Sequence, residues 1–447
     1  MEGPDLSPGH SSVLSPTRLD CPAGDPLLDE LFPWVTHGVH WGLSRMEAFL
    51  RDTGDPHRSY PSVHLGGTNG KGSVASTVSA ALERGGSTTG LYTSPHLCSF
   101  RERFQVAGHL VEEDELRELV RDLRDDIVRH ELTFFEAATA LAFHLFQRRS
   151  VDVAVIEVGL GGRLDATNVV TPLITAITNV AKDHSEYLGE TLSEIAREKA
   201  GIIKAGVPLL TGENDERLLS VFEDVCDRME APFSPLRIDP EEMDLEITED
   251  HTSFTVSTHA WGLLRVRTPL VGEHQAVNGA LSVAILGHLP ESLRPDARAI
   301  LDGIESVRWP GRSQVVHLDG QTWLFDVAHN PAGAHALASV LERLALPRPL
   351  VLVTAVLGDK DWRSILPPLF ETTDHAVFTQ APSAPRERRW DPYAASLAVG
   401  RFETEIRPDF GEALERAKEL AGSGTIVVTG SNHTVGDALG ALDLSPF

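Results

Sequence analysis

Lysine is scarce in this chain. There are six, Lys71, Lys182, Lys199, Lys204, Lys360 and Lys418, against 33 arginines. Cysteine is scarcer still. Cys21, Cys98 and Cys226 form neither a CxxC pair nor a metal-ligand spacing. That argues against a cysteine metal site and predicts reduced thiols in a cytoplasmic setting. No apolar run approaches the ~18 residues of a membrane span. The opening segment MEGPDLSPGHSSVLSPTRLD has acidic residues and prolines where a secretory leader is basic and then apolar. Residues 1–22 are therefore expected to form a disordered tail. Positive charge is short overall: 39 basic residues face 65 acidic ones, a net charge of −26. General binding to nucleic acid or to an anionic membrane is not expected. A local basic site for an anionic small molecule remains compatible with that surface.

What is present is ordinary for a globular protein: 41% hydrophobic and 23% charged residues over 447 positions, enough for two or three domains. SVHLGG (62–67) reads as a buried strand running into a glycine-rich loop, and 73–86 as a helix stopped by glycine. Strands follow at 87–94, 151–162 and 172–180, with helices at 112–130, 134–149 and 191–206. This alternation predicts a mostly parallel, doubly wound sheet. Residues 241–271 alternate in a way that suggests antiparallel strands, and a helix begins near His274. The strand–helix pattern restarts at 314–328 and runs to 425–431. The predicted fold class is α/β: a P-loop-type ATPase domain over 23–309, joined near Arg308–Gly311 to a smaller Rossmann-like domain over 310–447.

Three constellations carry chemistry. In Gly66-Gly67-Thr68-Asn69-Gly70-Lys71-Gly72-Ser73, glycines let backbone N–H groups approach phosphate, and the following helix N-terminus adds positive potential. Lys71 would neutralise phosphate charge. Gly72 between Lys71 and Ser73 departs from the usual phosphate loop. The plain alternative is a tight strand–helix turn. The second constellation is Glu157 at a strand end, with GLGGRLDATN (159–168) after it and Asp183-His184 after the next strand. Ligands of open α/β sheets bind at that edge, and a carboxylate there suits Mg²⁺. A structural histidine is the alternative for His184. The third is Asp326-Val327-Ala328-His329-Asn330-Pro331, with Arg312 upstream; here the alternative is a helix-capping turn. Scarce lysines mark places where a compact, titratable amine is kept over guanidinium. Compositional bias explains them equally well.

GGTNGKGS, TSPH (93–96), EVGLGGRLDATN (157–168), DHSEYLG (183–189), EKAGIIK (198–204), GEHQAVN (272–278), PGR (310–312) and DVAHNP (326–331) occur in this order. Together they resemble the folylpolyglutamate synthase/dihydrofolate synthase family, a branch of the Mur ligases, over roughly residues 40–437. The resemblance implies a ligase that activates a folate-type carboxylate with ATP as an acyl phosphate and joins it to glutamate, releasing ADP and phosphate. It implies that Gly67, Thr68, Asn69, Gly70, Lys71, Gly72 and Ser73 hold the ATP phosphates, and that Asn278, Arg312 and Asp326 complete the nucleotide site. Ser94, Glu157 and His184 match Mg²⁺ positions. Lys199 matches a lysine that the family carbamylates, and with Lys71 and His329 it is expected to be catalytic. Leu43, Ser44, Arg45, Thr133, Phe134, Phe135, Leu164, Asp165 and Ala166 match segments facing a pteridine. Substrates would be glutamate with dihydropteroate or a reduced folate, and the protein a monomer.

This chain departs from the family at 430–436, GSNHTVG, where polar Asn432 and His433 replace apolar residues. Rival readings are another Mur-type ligase, handling a cell-wall nucleotide or cyanophycin, a regulatory ATPase without ligation, and a noncatalytic partner protein. EVGLGGRLDATN argues against the first. The second-domain motifs DVAHNP and PGR argue against the second, and the intact set of motifs against the third.

Overall fold

A computed structural model describes residues 25–32, 42–399 and 404–446. The tail expected over 1–22 lies outside them. The first sheet comprises β1 (Ser62–Gly66), β2 (Thr89–Tyr92), β3 (Phe104–Val106), β4 (His109–Leu110), β5 (Val153–Glu157), β6 (Ile174–Ile177), β7 (Leu209–Thr211) and β8 (Phe233–Pro235). Its order is β4-β3-β2-β5-β1-β6-β7-β8, parallel except where β3 and β4 run antiparallel. The central strands are apolar on both faces because helices cover both. Val153 and Val155 of β5 join a core with Val74 and Val78 of helix Lys71–Arg84. Ala154 and Ile156, on the opposite pleat, join Phe143 and Phe146 of helix Phe134–Arg148. Parallel strands β1, β2, β5 and β6 therefore end together along one edge.

The alternating segment forms a three-stranded antiparallel sheet of β9 (Glu246–Ile247), β10 (Thr252–Thr258) and β11 (Gly262–Thr268). The second domain holds β12 (Gln314–Leu318), β13 (Gln321–Phe325), β14 (Leu350–Thr354), β15 (His375–Phe378), β16 (Thr404–Ile406) and β17 (Thr425–Thr429). Their order is β12-β13-β17-β14-β15-β16, parallel apart from the β12–β13 pair.

Three details differ from expectation. The helix expected over 191–206 opens with the Thr191/Glu194 capping box but stops at Ala200. Loop 159–168 is wedged against its end: a Cβ on Gly201 would lie 2.2 Å from Cβ of Arg163. Helix Trp362–Thr372 escapes the sequence pattern because it contains Pro367 and Pro368. Against the reduced thiols expected, Cys98 is disulfide-bonded, whereas Cys226 is a buried free thiol. Among the described residues, no helix is long and apolar enough to cross a membrane.

Candidate active site

The loop after β1 is shaped by the end of β6. Gly67 has φ +137°, and a Cβ there would lie 1.9 Å from Thr178 Oγ1. Thr68 N–H donates to Asn179 O (2.9 Å), and the Asn69 N–H to Asn179 Oδ1 (3.1 Å). Thr178 Oγ1 in turn donates to Asn69 O (2.7 Å). Helix Lys71–Arg84 then starts at Gly70, φ +83°, with no side-chain cap. Its first N–H groups stay open for an anion. Ser73 Oγ is buried with no hydrogen-bond partner among the described residues. Gly72 has a physical reason: a Cβ would lie 2.7 Å from the Trp309 ring, which packs there from the domain join. Asn278 backs the loop equally closely, 2.5 Å from a Cβ at Gly70. The tight-turn alternative describes the shape without accounting for an uncapped helix start or an unpartnered hydroxyl.

Glu157, 4% exposed at the end of β5, accepts from the Ser94 N–H (3.0 Å) and faces Lys71 Nζ at 3.9 Å. Burial raises its pKa, opposed by Lys71 and Arg312. Lys199 is 3% exposed and donates through Nζ to Gly67 O (2.8 Å). Burial, with Lys71 adding to it, lowers its pKa to about 7. Ser94, Glu157, His184 and Lys199 line one cleft of about 990 Å³ with the phosphate loop. Among the described residues, no three His, Cys, Asp or Glu side chains form a ready-made metal cluster. The donors that do face the cleft, a buried carboxylate and the Ser73 and Ser94 hydroxyls, are oxygen donors of the kind a hard cation takes.

The second domain closes the cleft from the other side. Asp183 is the hub. Lys360 Nζ donates to its Oδ1 (2.5 Å), Asn330 Nδ2 to its Oδ2 (3.1 Å), and His329 Nε2 lies 3.3 Å from Oδ2. Burial alone would raise the Asp183 pKa, but His329, Lys360 and His184 together hold it far below the usual carboxylate range. Asn330 and Asn69 exchange hydrogen bonds of 2.8 and 3.2 Å across the join. Asn330 also caps helix Pro331–Arg343 through Gly333 N–H, so the capping alternative is half the account. Lys360 also donates to His184 Nε2 (3.1 Å). Burial lowers the His184 pKa to about 4. Lys360 and Asn330 were not singled out as site residues from sequence; the scarcity of lysine is the signal that points to the first. Asp326 accepts from Ser313 N–H (2.7 Å), Ser313 Oγ (3.1 Å) and Ala328 N–H (2.8 Å), which ties the start of β12 to the end of β13 beside Arg312. Both face the cleft.

Of the residues matched to a pteridine-facing surface, Phe134 lines the cleft. The rest stand behind it and hold it in shape. Leu43 and Ser44 begin helix Ser44–Asp52, and Arg45 grips both Glu136 oxygens at 3.2 Å. Thr133 and Glu136 form the capping box of helix Phe134–Arg148. The Phe135 ring would lie 2.2 Å from a Cβ at Gly159. Leu164 leads into Asp165, which accepts from Leu160 N–H (2.8 Å) and Thr167 N–H (3.0 Å) and so caps the short helix beginning at Ala166. Asn432 and His433 also line the cleft, and His433 Nδ1 lies 3.0 Å from Ser383 Oγ.

Comparison with known proteins agrees with this two-sided cleft. Residues 65–286 match the Mur ligase middle domain, and 311–433 the Mur ligase, glutamate ligase domain. The chain is 34% identical over 411 residues to the dihydrofolate synthase/folylpolyglutamate synthase of Bacillus subtilis, covering 90% of this chain and 94% of that one. It is 36% identical over 422 residues to a probable bifunctional folylpolyglutamate synthase/dihydropteroate synthase of Haloferax volcanii, covering 91% of this chain but 49% of that longer protein. Among solved structures, Mycobacterium tuberculosis folylpolyglutamate synthase complexed with ADP and AMPPCP superposes with a TM-score of 0.82 at 33% identity, over 89% of this chain and 94% of that one. E. coli FolC in complex with DHPP and ADP gives 0.83 at 30% identity, over 94% and 98%.

Proposed function

Because this chain belongs to the folylpolyglutamate synthase/dihydrofolate synthase family of Mur ligases, we propose that it uses ATP to join L-glutamate to a folate-type carboxylate. The acceptor is dihydropteroate, a reduced folate, or both. One carboxylate oxygen of the acceptor attacks the γ-phosphorus of ATP, and the bond to the β-phosphate oxygen breaks, giving an acyl phosphate and ADP. The glutamate amine then attacks the acyl carbon, phosphate leaves, and the amine loses a proton. The observation that carries this reading is the pairing of an uncapped phosphate loop with Arg312, Asp326 and His329 of a second domain across one cleft. A simple ATPase has no need of that second face.

In this reading the N–H groups from Gly67 to Ser73 and the Lys71 ammonium hold the phosphates where charge shifts during transfer. Asn278, Arg312 and Asp326 orient the nucleotide. Mg²⁺ held by Ser94, Glu157, His184 and a carbamylated Lys199 would neutralise phosphate charge. Engagement of His184 requires Lys360 to leave its Nε2. Lys199 can keep its hydrogen bond to Gly67 O through the carbamate N–H, and its low pKa supplies the neutral amine that adds CO₂. His329 sits beside Asp183 at the join and faces the cleft in which the glutamate amine would react. Phe134 offers a ring to the pteridine, and Leu43–Arg45, Thr133, Phe135 and Leu164–Ala166 set the shape behind it. We assign the protein to the cytoplasm as a monomer acting on small molecules. The test is product analysis by mass spectrometry with ATP, Mg²⁺ and glutamate, offering dihydropteroate and a reduced folate in parallel. A glutamylated product from either acceptor supports ligation and names the substrate. ATP consumption with no glutamylated product from either contradicts it.

A further inference from the structure

Arg103 stands outside every role assigned above, and its position is costly. The residue is 7% exposed and lines the cleft. Its Nε donates to His96 Nδ1 (3.0 Å), and its guanidinium lies over the rings of Phe134 (5.4 Å) and Phe100 (5.8 Å). The phenol of Tyr92 is its other close polar neighbour. All of these are uncharged. Among the described residues Arg103 has no ion-pair partner, unlike Arg101 two residues before it. The adjacent Glu102 cannot serve, because its two oxygens accept the N–H groups of Leu97, Cys98 and Ser99 at 2.7–2.8 Å. Glu157 acts on it only from a distance. A buried guanidinium without an anion is expensive unless a ligand supplies one.

Topology says which ligand. Strand β3 runs antiparallel to β2, so Arg103, at its start, lies at the edge where β2 ends; Thr93 N–H donates to Arg103 O (3.2 Å). Along that edge the phosphate loop follows β1, Glu157 ends β5 and Ser94 follows β2. Arg103 comes next, on the side away from the nucleotide, over the aromatic surface of Phe134. The guanidinium fork matches a carboxylate in two parallel hydrogen bonds. We propose that Arg103 binds the carboxylate of the pterin acid, bringing it to the cleft beside Glu157 and Ser94. The inference rests on the ligase reading above.

The test compares equilibrium binding of pteroate with that of the same pterin–aniline lacking its carboxyl group, in the full chain with ADP present. Charge-assisted hydrogen bonds predict that the wild type prefers the acid by about 10- to 150-fold. In Arg103→Gln that preference collapses toward one, while affinity for the decarboxylated compound and for ADP is retained. Arg103→Lys, which keeps the charge and loses the fork, keeps a reduced preference. It decides the matter if the Gln variant does not fold. The proposal is overturned if the wild type binds both compounds equally, if either variant keeps the full preference, or if Arg103→Gln weakens both compounds alike. Wild type that binds neither compound but binds ADP contradicts the pterin ligase reading itself, and the assignment of Arg103 falls with it.

Discussion

Lys199 offers a quantitative test because its burial can be read in two independent ways. The residue is 3% exposed, and among the described residues its amine makes one hydrogen bond, to Gly67 O at 2.8 Å. Burial, then Lys71, moves its pKa from 10.5 to about 7. At about 1.4 kcal/mol per tenfold, holding an ammonium there costs on the order of 5 kcal/mol. The sign follows from proton uptake. Between pH 7 and 10.5 the unfolded chain keeps a proton that the folded chain has lost, so stability rises with pH across that window. The penalty is complete below pH 7 and absent above 10.5. Lys199→Met should therefore raise the Tm of CO₂-depleted protein near pH 6, and the advantage should fade as pH approaches about 10. The same shift makes roughly half of the amine neutral at pH 7, against a few parts in ten thousand for an ordinary lysine. Only the neutral amine adds CO₂, and arginine cannot replace it. Ligation should fall in CO₂-depleted buffer and return with bicarbonate, and Lys199→Arg should be as inactive as Lys199→Ala. A fully active Lys199→Arg variant, or an unmodified amine by mass in fully active enzyme, would refute the reasoning. So would a Tm gain in Lys199→Met that does not change with pH.

Three further outcomes follow from the same cleft. Lys71→Ala should lower ligation by about 10²–10³-fold, as when a donor aimed at developing charge is removed, with circular dichroism unchanged. Near-normal turnover would reduce the loop to a turn. Glu157→Gln and His184→Ala should each raise the Mg²⁺ concentration needed for half-maximal activity, and superimposable titrations in both would reject the metal assignment. Asp183→Asn removes the anion shared by Lys360, whose side chain is 8% exposed, and His329. Breaking a buried pair typically costs about 3–5 kcal/mol. Urea denaturation should show that loss, and a midpoint unchanged from wild type would mean the hub does not hold the domains together.

How much of this was legible in the sequence depends on the distance along the chain. The phosphate loop is local: glycines, a lysine and a helix start lie within eight residues, and the structure supplies the missing reason for Gly72 in the ring of Trp309. The strand end at Glu157 and the loop after β6 that carries Asp183 were legible because parallel strands terminate at one edge. The Asp183 hub was not, since Asn330 and Lys360 reach it across separations of 147 and 177 residues, which no local pattern encodes. Motif matching and physical contact also diverge. Arg45 and Thr133 sit in matched segments yet spend their polar atoms on Glu136. Arg103 lies in an unremarkable run, FRERF, and only the fold reveals that its charge is buried without an ion-pair partner among the described residues. Helix Trp362–Thr372 was hidden by its prolines, which locally argue for a break that surrounding packing overrides.

The most direct measurement of the central claim is the rate of ADP release by purified protein with ATP and Mg²⁺, with glutamate and a pterin acid each supplied or omitted. A ligase that passes through an acyl phosphate should release ADP at its full steady rate only when both are present, with one glutamylated product formed per ADP. Equal release with and without the pterin acid, or release that ignores glutamate and yields no glutamylated product, would contradict the account.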